Sequence, residues 1–123
     1  MKRVSLAVAV LALVAFAGPA PAQDPTEVDA EHYTVEFENE HVRIVRIKYG
    51  PGEKSVMHEH PPAVAVFLSD GKAQFTLEDG STVDAPVVAG TAQWEAAGKH
   101  LPANVGDAPF EVVLVELKVE AAE

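Results

Sequence analysis

From Tyr33 onward, apolar and polar residues alternate in runs of strand length. "YTVEFE" sets Tyr33, Val35 and Phe37 against Thr34, Glu36 and Glu38, the pattern of a half-buried strand. "HVRIVRIKYG" also alternates, but slips by one between Ile44 and Val45, which predicts a bulge or a strand apolar on both faces. "SVMHEH" reads as a short strand stopped by Pro61-Pro62. "AVAVFLS" is apolar without a break, so both of its faces should be covered. In that run Val64, Val66 and Leu68 are expected to line the interior. Ala63, Ala65 and Phe67 are expected to face a second sheet or a second subunit. "KAQFTLE", "STVDAPVV", "TAQWEA", "HLPANV" and "FEVVLVELKVE" follow as further strands, the last the longest. Phe75, Leu77, Val113 and Val115 join the candidate core. Pro86 should end its strand or hold it at a sheet edge.

Turn signals separate these runs. Asp70-Gly71 and Asp79-Gly80 are hairpin dipeptides, and Gly50-Pro51-Gly52, Ala89-Gly90, Gly98-Lys99 and Gly106–Pro109 mark the other breaks. No segment beyond residue 22 carries a helical period. Short strands with turns every eight to twelve residues predict an all-β sandwich or barrel.

The first residues follow a different pattern. Lys2 and Arg3 precede an apolar stretch from Val4 to Ala17, then Gly18-Pro19 and Ala20-Pro21-Ala22. That is the layout of a secretory signal peptide with an A-x-A cleavage site. The apolar stretch falls short of the roughly 20 residues that span a membrane. Cleavage after Ala22 predicts an exported protein, periplasmic or secreted, with no membrane attachment. The expected organisation is a signal peptide at 1–22, a flexible acidic arm at 23–31 ("QDPTEVDAE"), one domain at 32–119 and a tail at 120–123.

Charge and cysteine content narrow the chemistry. The whole chain carries a formal charge of −10; without Lys2 and Arg3, seven basic residues face 19 acidic ones, giving −12. Such a surface repels nucleic acid and anionic lipid. With no cysteine, thiol catalysis, disulfides and thiolate metal sites are excluded. What remains is histidine, of which there are five. His58 and His60 lie two apart on a strand and so share a face. They follow a glycine turn, and His100 follows another. If the strands close into a barrel, the three imidazoles can converge inside it, a donor set that suits Zn, Fe, Mn, Ni or Cu. The plain alternative is a surface strand with two polar residues; the second glycine-marked histidine downstream favours the metal.

Two spacings carry a family resemblance. Gly52, five residues, His58-x-His60 and later Gly71 resemble the first motif of the cupins. Gly90, five residues, Ala96-x-Gly98, then His100 and Asn104 resemble the second. The resemblance runs from about Tyr33 to Lys118. It extends to a subgroup of exported small cupins labelled by similarity to a β-alanine-degradation cupin, through "FENEHVRIVRIKYGPGEKSVMHEHPP" and "GDAPFEVVLVELK". It implies a jelly-roll barrel of two antiparallel sheets, metal ligands at His58, His60 and His100, and dimers built from facing sheets. Three departures stand out. Val64 occupies the place of the motif glutamate, Ala96 that of the proline, and one residue is missing between Gly98 and His100. The first leaves three neutral ligands and open positions on the ion, which favours an anionic small-molecule ligand. The last two are expected to shift His100.

The other residues have plainer readings. Glu59 points away from its flanking histidines and reads as a solvated or supporting group. His32 and His41 read as surface residues or contacts near the mouth. Trp94, the only tryptophan, reads as core or interface. Gln93 and Glu95 flank it on the opposite face, where either supplies a late ligand or a hydrogen bond if that face is inward. No nucleophile and no acid–base pair can be picked out. Two functions follow: a metal-dependent cupin enzyme acting on a small organic acid, by Lewis-acid or O₂ chemistry, or a cupin that holds a metal or small ligand without turnover.

Overall fold

The computed structural model describes residues 23–118; the expected signal peptide and the expected tail lie outside the described residues. Nine strands form two antiparallel sheets. They are β1 (Tyr33–Glu38), β2 (Val42–Tyr49), β3 (His58–His60), β4 (Ala63–Phe67), β5 (Gly71–Thr76), β6 (Thr82–Val87), β7 (Ala92–Glu95), β8 (Gly98–Asn104) and β9 (Phe110–Leu117). The five-stranded sheet runs β1-β2-β9-β4-β7 and the four-stranded sheet β3-β8-β5-β6. This is a jelly-roll barrel, as the strand pattern and the resemblance predict. Among the described residues no helix is long and apolar enough to cross a membrane.

The slip seen between Ile44 and Val45 is absorbed by the neighbouring strand. β2 pairs with β9 without interruption, from Val42 opposite Leu117 to Tyr49 opposite Phe110. The register shift falls in β1, where Val35 pairs with Val45 but Phe37 with Ile44. β2 is therefore apolar on both faces, and the extra residue in β1 turns Phe37 to the outer face.

The inward parity of β4 and β9 is the reverse of the sequence expectation. Ala63, Ala65 and Phe67 are buried in the core together with Val112 and Leu114. Val64, Val66, Val113 and Val115 face outward and are only partly buried, and Leu68 and Leu77 are exposed. Both parities are apolar, so alternation alone could not choose. Small alanines on the inner face leave room for bulkier side chains from the opposite sheet.

Two turn assignments also change. Asp79-Gly80 is the β5–β6 hairpin, with Gly80 at φ +84° and Ser81 donating from backbone and hydroxyl to the Asp79 carboxylate. Asp70-Gly71 is instead a crossing between sheets, since β4 and β5 do not pair. Gly71 is required there by the Phe110 side chain, which would lie 2.8 Å from an added Cβ. Gly98-Lys99 is not a turn either: both residues lie in β8, Gly98 opposite His60 and Lys99 opposite Glu59. Pro86 is accommodated because β6 is an edge strand.

The segment expected to be a flexible arm is docked. Asp24 caps a helical turn, α1 (Pro25–Val28), by accepting from the Thr26 N–H, and Pro25 is buried. The Gln23 carbonyl accepts from the Glu59 N–H on edge strand β3. Arg43 donates to Asp24 at 2.7 Å and to Glu116 at 2.6 Å. Burial works against the Arg43 charge, but the two carboxylates outweigh it and raise its pKa. Burial likewise opposes ionisation of Asp24, and hydrogen bonds from Arg43 and Thr26 bring its pKa down on balance. The arm thus has an ion pair to hold it, which composition alone does not reveal.

Candidate metal and ligand pocket

His58 and His60 project inward from β3 and His100 from the adjoining β8. His58 lies directly opposite His100 in the pairing. The missing residue before His100 therefore does not carry it away from its partner. The ring centres of His58 and His100 are 5.0 Å apart, and those of His60 and His100 4.7 Å. Imidazoles sharing an ion at about 2.0–2.1 Å per nitrogen have ring centres about 5 Å apart, so donor type and spacing fit a divalent metal. The nitrogen atoms are not yet aimed at one point: among the described residues no group of three or more His, Asp or Glu stands arranged to hold an ion. His58 shows why. Its Nδ1 faces the Val56 carbonyl at 3.0 Å and its Nε2 faces the Tyr33 hydroxyl at 3.4 Å. His60 Nδ1 faces the Pro61 carbonyl at 2.8 Å, which leaves its Nε2 as the acceptor nitrogen.

Burial sets the protonation of two of the rings. It drives His58 down to about 4, the Val56 carbonyl opposing only in part. It drives His100 down to about 3, assisted by repulsion from His60 and His58. Both are neutral imidazoles at neutral pH, the form that binds metal. His100 stacks on Phe75, with ring centres 4.9 Å apart.

These rings line a cavity of about 70 Å³ inside the barrel. Its other polar lining is Tyr33, Tyr49, Gln93 and Glu95, and the rest is apolar. Such a space admits a small ligand only. Tyr33 and Tyr49 share a hydrogen bond of 2.6 Å between their hydroxyls. Burial raises the pKa of both well above the ordinary phenol value, so both remain protonated donors. Gln93 donates to Glu95 at 2.7 Å. Both sit on β7 opposite inward-facing Ala65 and Ala63, so the face that alternation left open is the inner one. Trp94 is correspondingly 58% exposed on the outer face, not in the core.

Val64 also faces outward, between Trp94 and Val115. The β4 residue facing the cavity beside it is Ala65, so the strand offers a methyl group there and no carboxylate. Glu95 is the carboxylate lining this cavity, delivered by a different strand. Asn104 is fully buried but not in the donor set; it ties the loop beyond β8 through the Ala108 carbonyl and the Gly106 N–H.

His32 departs most from expectation. It is 8% exposed, not a surface residue. It stacks on Tyr49 at 4.5 Å and shares both oxygens of Asp29 at 2.9 Å. His41 is exposed, as expected. The two tyrosines were recoverable from sequence: each falls on the inward parity of its strand, and a buried hydroxyl needs a partner. Nothing in the sequence marked Asp29.

The two-sheet jelly roll is the double-stranded β-helix fold of the cupins. A cupin domain from Bordetella pertussis is similar at 26% identity over 71% of this chain and 92% of that one, with a TM-score of 0.66. An RmlC-like cupin family protein from Methanocaldococcus jannaschii is similar at 25% identity, over 72% of this chain and 83% of that one, TM-score 0.56. A conserved protein with a double-stranded β-helix domain from Klebsiella pneumoniae is similar at 21% identity, over 85% and 95%, TM-score 0.57. No protein-family model matches the sequence, and neither does any curated protein.

Proposed function

We propose that this cupin-fold protein holds one divalent metal ion through His58, His60 and His100 and uses it to bind a small organic acid inside the barrel. The observation that carries the reading is the placement of His58 and His60 within 4.7–5.0 Å, ring centre to ring centre, of His100 on the wall of one cavity. When bound, the ion supplies Lewis acidity, or O₂ chemistry if it is iron. The chain's own residues supply the rest. The neutral imidazoles leave the ion's charge uncompensated, and the Tyr33–Tyr49 hydroxyl pair offers hydrogen to an anionic ligand. Glu95, at the β7 edge, is the group available to move a proton. The resemblance to exported cupins, and the signal-peptide pattern, support action outside the cytoplasm. A second reading is a binding module without turnover. It is favoured by the absence of a carboxylate at Ala65 and by Glu95 being bonded to Gln93.

The outer face of the five-stranded sheet supports a homodimer. Phe37, Ile44, Val115, Val64 and Trp94 form a continuous cross-strand row, and Phe37 and Trp94 are more than half exposed. The charges beside it pair among themselves, Arg46 with Glu36 and Lys48 with Glu111. The face is therefore neutral on a chain of charge −10, so a second copy meets it without repulsion.

The deciding measurement is elemental analysis of protein recovered from the exported fraction, with a His58→Ala/His60→Ala control. Stoichiometric metal that the control loses supports the site. No metal in either protein, and no change in thermal stability on chelation or metal addition, sinks it. A turnover screen of small carboxylates and amino acids, β-alanine included, with and without O₂, then separates enzyme from binder.

A further inference from the structure

The best-connected side chain near the pocket lies outside it. Asp29, at the end of the docked arm, is 10% exposed and accepts from two side-chain donors. The first is His32 Nδ1, whose N–H is shared between both carboxylate oxygens. The second is the Ser55 hydroxyl at 2.6 Å. Ser55 is itself 5% exposed, and its loop is pinned to β8 by a bond from the Ser55 N–H to the Pro102 carbonyl. Its oxygen stands 3.2 Å from His58 Nδ1.

These contacts have one consistent direction. A carboxylate only accepts, so the Ser55 hydroxyl hydrogen is committed to Asp29. Ser55 can then offer His58 only a lone pair. The Val56 carbonyl, also facing His58 Nδ1, offers the same. Nδ1 must therefore carry the proton, and Nε2 must be the acceptor. That nitrogen is on the pocket side, where it meets the Tyr33 hydroxyl. Without Asp29 the Ser55 hydroxyl is free to turn and donate to Nδ1, which would put the proton on Nε2 and close that nitrogen to any ligand.

We propose that Asp29 is a positioning residue for the pocket: acting through Ser55, it fixes His58 in the Nδ1–H tautomer with its Nε2 lone pair directed into the cavity. The arm is thereby part of the site. Its start is held separately, by the Gln23 carbonyl and the Asp24–Arg43 pair, which do not touch Ser55 or His58. A metal role for His58 rests on the function proposed above, but the tautomer does not.

The test is ¹⁵N NMR of the histidine side chains in metal-free Gln23–Glu123 protein, comparing wild type with Ser55→Ala, Asp29→Asn and Asp24→Asn. Wild type should show His58 with a protonated Nδ1 and a bare Nε2. Asp29→Asn should give a mixture of tautomers. Ser55→Ala removes the competing donor as well as the acceptor, so the Val56 carbonyl should keep Nδ1–H. Asp24→Asn, which weakens arm docking without touching this chain of bonds, should leave the wild-type pattern. Cobalt(II) titration is the second readout: losing a group that orients a ligand is expected to weaken binding about 10- to 100-fold in Asp29→Asn, and much less in Ser55→Ala. The inference is overturned if Asp29→Asn keeps a pure Nδ1–H tautomer, or if Asp24→Asn mixes the tautomers equally. If wild type binds no cobalt yet Asp29→Asn mixes the tautomers, the metal reading falls and this one stands. Should Asp29→Asn fail to fold, wild type decides alone: a His58 found with a bare Nδ1, or as a mixture of tautomers, overturns the inference.

Discussion

His32 and His100 are two histidines in similar company with opposite chemistry. Each stacks on an aromatic ring, His32 on Tyr49 and His100 on Phe75. His32 lies on the arm side, between Asp29 and Glu53; His100 lies on the cavity wall with two more imidazoles. Burial pushes both pKa values down. At His32 the carboxylates, Asp29 foremost, outweigh burial and raise the value, while at His100 nothing opposes burial and it falls to about 3. What separates a histidine whose pKa is raised from one whose pKa is lowered here is the placement of acidic residues. Among the described residues, Glu95 is the one acidic side chain on the cavity wall.

The contrast can be broken first by stability. Asp29→Ala leaves the His32 and Ser55 donors buried without an acceptor and should cost about 3 kcal/mol in urea unfolding at pH 7. His100→Phe breaks no hydrogen bond to the protein and should cost less than about 1.5 kcal/mol. Equal losses would mean the two environments are not distinct.

Its second expression is pH dependence. For His58 and His100 the folded values lie below the unfolded one, near 6.5. The stability they contribute is full above about pH 6.5 and is lost as pH falls toward about 4 and about 3. His32 has the opposite sign: its contribution is present below about pH 6.5 and is lost as pH rises through its raised folded value. Between pH 7.5 and 5, unfolding midpoints of His100→Phe should therefore vary less than wild type, and those of His32→Phe more. For His100→Phe the difference should be on the order of 1 kcal/mol.

The smallest effect belongs to the outer face. Trp94→Ser should change monomer stability by no more than about 0.5 kcal/mol, yet should shift sedimentation toward the monomer. A wild type that stays monomeric at high concentration would remove the dimer from the reading.

The strands, the jelly roll and the three convergent histidines were legible because each rests on local pattern: alternation, punctuation and a spacing of two. The parity of β4 and β9 was not, since Val64 and Ala65 are both apolar and only the opposite sheet decides which is inside. That parity also turned Val64 outward and put Gln93 and Glu95 on the inner face of β7. His32 and the arm were misread because what buries them is tertiary. Asp29 meets Ser55 across 26 residues and Arg43 meets Glu116 across 73, and neither pair shares a local motif.

Arg43 does one more thing. It holds Asp24 near the start of the described chain and Glu116 near its end on a single guanidinium, and the Lys118 N–H closes the same corner on the His41 carbonyl. The two ends of the fold are therefore neighbours. A circular permutant that joins them by a short polar linker and opens the exposed Asp79–Gly80 hairpin should keep the barrel intact.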